Sequence, residues 1–238
     1  MNEQGQKQAI VAYEVVEIAG ARFALHRDGA VLRSPGGKDF AVPTKALAEA
    51  VAQEWRALKR NRLDPATMPL TRMAISALDG PMVSQDEAAE ALLGFAQSDT
   101  LRHRAPAYEP LSARQEKVWQ PLLDWFGERY GVELVPGAGI MPLAQSDDML
   151  EVVKAVLAGF DPFALAGIGQ VCHVTGSLAL ALALATGHLD VAQVFDAAEL
   201  EALYQIERWG EDEEARLRLD GIRRDLDDCA RWFGLLAR

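Results

Sequence analysis

The chain has 238 residues, of which 50% are hydrophobic and 25% are charged, and its formal net charge is −11. This composition is typical of a globular protein with one or two domains, and it excludes a disordered or fibrous chain. A chain this acidic repels phosphate backbones, so we expect no nucleic-acid partner.

The first forty residues have the pattern of short strands. Residues 13–18 are rich in β-branched side chains, and residues 22–27 lead into the pair Asp28-Gly29. An Asp-Gly pair between two strand-like runs predicts a tight hairpin, because that turn requires positive φ at both central residues. A further short strand is predicted at residues 40–42.

The hydrophobic period changes after Pro43 and becomes helical. Thr44 is predicted to cap a helix whose apolar side chains are Leu47, Val51 and Trp55. Because Trp55 shares the apolar face of this helix, we expect it in the core.

Almost all of the remaining chain has helical patterning. Ser84 and Ser112 each begin a capping-box pattern, and Asp147 begins a helix that is predicted to end near Gly159. A short strand is predicted at residues 132–135. The last helical segments are residues 178–185, 191–208 and 212–236. We therefore predict an α+β protein with a small β-rich N-terminal domain, residues 1–60, and a larger, mainly helical C-terminal domain, residues 61–238.

Cysteine usage and hydropathy indicate a cytoplasmic protein. Cys172 and Cys229 lack the spacing of a disulfide framework, which favours a reducing compartment. The first nine residues do not have the pattern of a signal or transit peptide. Residues 162–189 contain no charged side chain, but their unbroken apolar part, residues 178–185, is too short to cross a bilayer. We expect no stable membrane insertion.

Motifs for nucleotide or metal chemistry are incomplete. Gly37-Lys38 would end a P-loop, but Leu32 stands where that motif requires glycine. None of the four histidines has the spacing of a zinc-binding pair. We therefore expect no cofactor and no metal ion.

Three segments, in order and spacing, resemble the F1-ATPase assembly chaperone family that acts on the alpha subunit, which has mitochondrial and alphaproteobacterial members. They are residues 42–55 (VPTKALAEAVAQEW), 63–72 (LDPATMPLTR) and 205–212 (QIERWGED). Residues 99–105 depart from the family, which usually has a Leu-Leu-Cys-Tyr-Arg-type segment there, although Arg104 and Ala105 fit.

The resemblance implies a monomeric binding protein without turnover. Its partner would be the unassembled F1-ATPase alpha subunit, covered on a surface that later contacts beta. Such a surface is large and apolar, and it aggregates when it is left exposed. A hydrolase-like enzyme with an acid/base site at Glu207 and His173 is the alternative, and a structural subunit of a stable complex is a third hypothesis.

Six residues are predicted to bind the partner, and each has a structural alternative. They are Glu207, Trp209, Gly210, Glu211, Asp212 and Arg72. Trp209 could instead pack between helices, and Gly210 could end a helix. Glu207 and Arg72 could form internal ion pairs. The acidic run at residues 211–214 could stabilise a helix N-terminus through the helix dipole or recognise a basic partner.

Overall fold

A computed structural model describes residues 12–58, 64–138 and 146–237. The first of these segments begins with a four-stranded antiparallel sheet in which β2 pairs with each of the other three strands. The strands are β1 Tyr13–Ile18, β2 Arg22–Arg27, β3 Ala30–Val31 and β4 Ala41–Val42. Asp28 and Gly29 have φ angles of 51° and 81°, which confirms the predicted hairpin turn.

Helices dominate the rest of the described chain, which confirms the predicted α+β class. They are α1 Lys45–Arg56, α2 Pro69–Asp79, α3 Gln85–Gln97, α4 Pro110–Tyr130, α5 Asp147–Ala158, α6 Pro162–Thr175, α7 Leu178–Ala185, α8 Val191–Ala198, α9 Leu200–Trp209 and α10 Glu213–Leu236. A short parallel ladder also joins β5 His103–Arg104 to β6 Gly137–Ala138.

Two local predictions were wrong. Helix α4 begins at Pro110 rather than at Ser112, and its N-cap residue, Glu109, makes no side-chain capping bond. Proline at the first helical position needs no donor, since that N–H would have no partner within the helix. The strand predicted at residues 132–135 is instead Gly137–Ala138, because β5 provides the partner for those two residues.

One buried core runs from Tyr13 in the sheet to Trp232 in α10. Helices α6 and α7 lie at its centre, where α6 contacts α2, α3 and α10, and α7 contacts α3, α4 and α8. Trp55 packs against the Tyr13 ring with centroids 5.6 Å apart but is only half-buried.

Hydrogen bonds also tie the sheet to the helices. The Thr44 hydroxyl, which caps α1, donates to the carbonyl oxygen of Leu235 at 2.7 Å. The Asp79 carboxylate of α2 accepts from the Ser34 hydroxyl and the Gly36 amide in the turn before β4. The division of the chain at residue 60 stays a prediction.

The segment that departs from the family pattern, residues 99–105, has a structural role. Asp99 is fully buried and accepts from the amides of Leu101 and Ala179 through different oxygens, each at 3.0 Å. Burial raises the pKa of this carboxyl group, and its hydrogen bonds, which include one from the Ser177 hydroxyl, lower it. Asp99 thereby satisfies donors at the N-terminus of α7. The buried Arg102 guanidinium donates to the carbonyl oxygens of Val135 and Gln97.

We predict that Asp99→Asn lowers the free energy of unfolding by about 1–3 kcal/mol, because the amide nitrogen would face a backbone donor and leave it unsatisfied. Asp161→Asn is the matched control. Asp161 caps α6 through Oδ1 alone, at 2.8 and 3.0 Å from the amides of Phe163 and Ala164, and asparagine caps equally well. Urea denaturation measures both variants, and equal losses would contradict the role given to Asp99.

Candidate functional site

Five of the six predicted partner-binding residues lie where α9 turns into α10. We call residues 204–217 the α9–α10 corner. Gly210 ends α9 with φ 89° and ψ 162°, a conformation that only glycine adopts readily, and its amide donates to the Ile206 carbonyl oxygen at 2.8 Å. Asp212 begins α10 by accepting from the Ala215 amide at 2.7 Å. Both residues shape the corner, and Glu211 is exposed between them.

Trp209 is the exposed tryptophan of this chain. Its relative exposure is 76%, whereas Trp119 and Trp232 are fully buried and Trp55 and Trp125 are half-buried. It does not pack between helices. Leu217, which is 54% exposed in the first part of α10, adds a second apolar side chain to the corner.

Arg208 places a cation beside the exposed indole. Its guanidinium carbon lies 6.0 Å from the Trp209 ring centroid and 5.5 Å from the Tyr204 ring centroid. The guanidinium also donates to the Tyr204 hydroxyl at 2.7 Å. Aromatic rings with an adjacent arginine are the residue types that carry most of the energy at protein interfaces.

Glu207 forms an ion pair with Arg114 of α4. The two guanidinium nitrogens donate to the two carboxylate oxygens at 2.5 and 2.8 Å. This hydrogen bonding holds the pKa of Glu207 below its ordinary value. Both side chains are substantially accessible, at 37% for Arg114 and 57% for Glu207, so water screens the pair and it contributes little to stability.

Buried and part-buried hydrogen bonds link α4 to α8 and α9, and the start of α9 to α10. The Trp119 indole of α4 donates to the Ala197 carbonyl oxygen of α8 at 2.8 Å. The Gln115 amide of α4 donates to the Glu201 carboxylate of α9 at 2.6 Å. At the start of α9, Glu199 accepts from Arg218 of α10 at 2.5 Å. The accessible corner therefore stands on a packed support.

The acidic run at the corner lies at the N-terminus of α10. Glu213 and Glu214 occupy the first turn of that helix, directly after Glu211 and Asp212, and all four are exposed. Their charges are favourable there because the N-terminus is the positive end of the helix dipole. Four consecutive acidic residues therefore follow Trp209 and Gly210 in the chain.

Arg72 lies apart from the corner, on α2. It is one of the charged residues that lower the pKa of Asp228, although burial and Asp225 together raise it. Asp228 is 16 positions after Asp212 on α10, which is about 24 Å along the helix axis. Within the described residues, the Arg72 side chain makes no ion pair. The six predicted residues thus form two separate places.

The residues of the alternative acid/base site do not share a cleft. His173 lines a groove between α2 and α6 that does not include Glu207. The pKa of Glu207 is lowered, the opposite of what a general acid near neutral pH requires. Burial raises the pKa of the neighbouring Cys172 thiol far above its usual range, which leaves it protonated.

Across the part of the chain that the structure describes, no group of three or more His, Cys, Asp and Glu side chains is placed to hold a metal ion. None of its helices is both long enough and apolar enough to cross a membrane.

Known proteins provide an independent comparison. The family model "ATP12 chaperone protein" matches residues 7–127. The chain is 27% identical over 210 residues to "Protein atp12, mitochondrial" of Schizosaccharomyces pombe, covering 84% of this chain and 72% of that protein.

Solved structures agree with this match. The crystal structure of Atp12 from Paracoccus denitrificans has a TM-score of 0.84 and 33% identity, covering 94% of this chain and 96% of that one. A mutant of the same protein, with one aspartate replaced by lysine, has a TM-score of 0.83 and 34% identity, covering 94% of this chain and 95% of that one. The family match, the curated relative and the shared fold together show that this chain belongs to the ATP12 chaperone family.

Proposed function

We propose that this protein is an assembly chaperone without catalytic turnover, which binds the unassembled F1-ATPase alpha subunit and prevents its aggregation until beta takes its place. Membership of the ATP12 chaperone family supports the role of chaperone. The ordered segments 42–55, 63–72 and 205–212 support alpha as the client. We place the protein in the cytoplasm of a bacterium, as a monomer when no client is bound.

The observation that carries this proposal is the exposure of Trp209 on a packed support. Removing an aromatic ring from water is favourable, so an exposed tryptophan gains stabilisation when a partner covers it. The neighbours of Trp209 in the chain include four exposed charged residues, Glu207, Arg208, Glu211 and Asp212, and the guanidinium carbon of Arg208 lies 6.0 Å from the ring centroid. An apolar anchor with a polar rim is the usual anatomy of a protein interface.

The Glu207–Arg114 ion pair suits a chaperone that must release its client. Because both groups are accessible, either one can exchange its partner for a charged group of the client at small cost. The bidentate geometry also defines where the Glu207 carboxylate lies before the client arrives, which reduces the ordering cost of binding. Glu207, Trp209, Gly210, Glu211 and Asp212 therefore form the main client-binding surface in this proposal, and Arg72 contributes from a separate place.

The first prediction concerns the client. Purified protein is expected to capture isolated alpha subunit and to keep it soluble at equal stoichiometry, but not to bind assembled F1, in which beta covers the same surface. Light scattering of alpha and size-exclusion chromatography of each mixture measure these outcomes. Co-elution with intact F1 at a fixed ratio would contradict the proposal and would favour a structural subunit.

The second prediction concerns Glu207. We expect Glu207→Lys to retain the wild-type melting temperature, since an exposed ion pair stabilises little, and to lose capture of alpha. Glu128→Lys is the matched control, since it reverses the charge of an exposed glutamate near the C-terminal end of α4, and it should capture alpha normally.

A swapped pair separates contact with the client from support within the chaperone. Glu207→Arg combined with Arg114→Glu restores the internal ion pair but exchanges the positions of the two charges. If Glu207 contacts the client, the double variant remains unable to capture alpha. Recovery of capture in the double variant would show that only the internal pair matters.

The third prediction concerns Trp209. Trp209→Ala should change the free energy of unfolding by no more than about 0.5 kcal/mol, as is usual for an exposed position. It should weaken alpha binding by about tenfold or more, because a tryptophan anchor commonly contributes that much. Trp209→Phe keeps an aromatic ring and should retain most of the affinity. Titration calorimetry measures the affinity of both variants for alpha. Unchanged binding by Trp209→Ala would show that this residue is not part of the client-binding surface.

A further inference from the structure

A groove on another side of the molecule has an apolar floor. It has a volume of about 320 Å³ and lies between α2, α3 and α6. Its floor includes Met73, Met82, Leu92, Phe95 and Ala166. The two methionines make the floor adaptable, since their side chains adjust to differently shaped partners. Gly169 leaves the floor open, because a Cβ atom there would lie 3.3 Å from the end of the Met82 side chain.

The rim of this groove carries polar side chains that are accessible to a binding partner. Arg72 and His173 are exposed, and Gln170 is half-buried. Among the described residues, neither Arg72 nor His173 forms an ion pair. Arg72 influences Asp228 only through space. The groove therefore offers hydrogen-bond donors that remain accessible to another molecule.

The residues that line this groove are less acidic than the protein as a whole, although Asp228 of α10, which does not line it, interacts with Arg72 through space. Among the described residues, no aspartate or glutamate lines it, although the chain has a net charge of −11. The neighbouring groove between α3 and α5 shows the contrast, since Asp86, Glu90 and Glu151 line it with Lys154. An apolar floor beside an accessible arginine complements an apolar side chain followed by a carboxylate. A volume of this size is at the low end of ligand sites, and suits a few side chains of a peptide better than a large cofactor.

We propose that this groove between α2, α3 and α6 binds a short amphipathic segment of the client. The segment places large apolar side chains on the methionine floor and a carboxylate against Arg72. The identity of the client as alpha rests on the proposed function above. The groove is a second contact, distinct from the α9–α10 corner, since none of residues 204–217 lines it. Two moderate contacts on one client give a tight complex through effective concentration, and the complex can still be released one contact at a time.

Charge reversal at the rim tests the carboxylate. Arg72→Glu should weaken alpha binding at least tenfold in calorimetry, with an unchanged melting temperature because Arg72 is exposed. Arg224→Glu, which reverses another exposed arginine on α10, is the matched control and should bind within twofold of wild type. Ala91→Trp adds bulk at an exposed position of the groove wall, so it blocks the floor without disturbing the core, and it should weaken binding similarly.

Crosslinking identifies the segment. With a photoreactive benzoylphenylalanine in place of the exposed rim residue His173, the crosslinked alpha peptide should contain large apolar residues next to aspartate or glutamate. If wild-type protein captures alpha but Arg72→Glu and Ala91→Trp bind as tightly as Arg224→Glu, the groove proposal fails and the proposed function stands. A crosslinked segment that is basic would also overturn it. If wild-type protein does not capture alpha, the proposed function fails, and the groove proposal, which names that client, fails with it.

Discussion

The burial of a charge-free helix pair is the constraint on which the rest of this structure depends. Helices α6 and α7 lie at the centre of the core, and α7 is buried from Leu178 to Leu184. Two helices with so little polar surface are stable in water only when other elements cover them on several sides. The covering elements include α2, α3, α4, α8 and α10.

The ends of a buried helix carry backbone amides and carbonyl groups that need hydrogen-bond partners. The N-terminal amides of α7 are inaccessible to water, so the protein must supply an acceptor from elsewhere in the chain. Asp99 is that acceptor, and it brings the end of α3 and the start of α7 together. Gly167 allows α6 and α10 to pack closely, because an ideal Cβ atom there would lie 2.7 Å from Trp232 of α10. The packing of this core therefore depends on the Asp99 carboxylate and on the absence of a side chain at Gly167.

Local sequence signals predicted the elements whose ends are determined locally. Asp28-Gly29, the Thr44 cap and the start of α5 all need only neighbouring residues, and each was predicted correctly. The strand at Gly137–Ala138 was misplaced because its position depends on β5, more than thirty residues earlier. The depth of Trp55 was overestimated, since helical spacing identifies a face but not how completely a neighbouring element covers it.

The candidate site shows the same contrast between features that depend on neighbouring residues and features that depend on distant ones. The partner-binding role of Glu207 and Trp209 stays a prediction, whereas the helix end at Gly210 and the start of α10 at Asp212 were predicted from local sequence and are present in the structure. Nothing near Arg114 indicates that it pairs with a carboxylate 93 positions later. Likewise, nothing in the sequence near Arg72 indicates that its charge lowers the pKa of Asp228 on α10. Long-range pairing is information that a single sequence does not contain.

The contact between Thr44 and Leu235 has a consequence for synthesis on the ribosome. The two residues are 191 positions apart, so α1 cannot complete its packing until α10 has been made. During elongation, the part of α1 that contacts α10 and the α6 surface that receives Trp232 remain uncovered. Contacts this distant in sequence also slow folding, since loop closure precedes the stabilising interaction. A member of a chaperone family therefore passes through a vulnerable stage of its own before its last described helix docks.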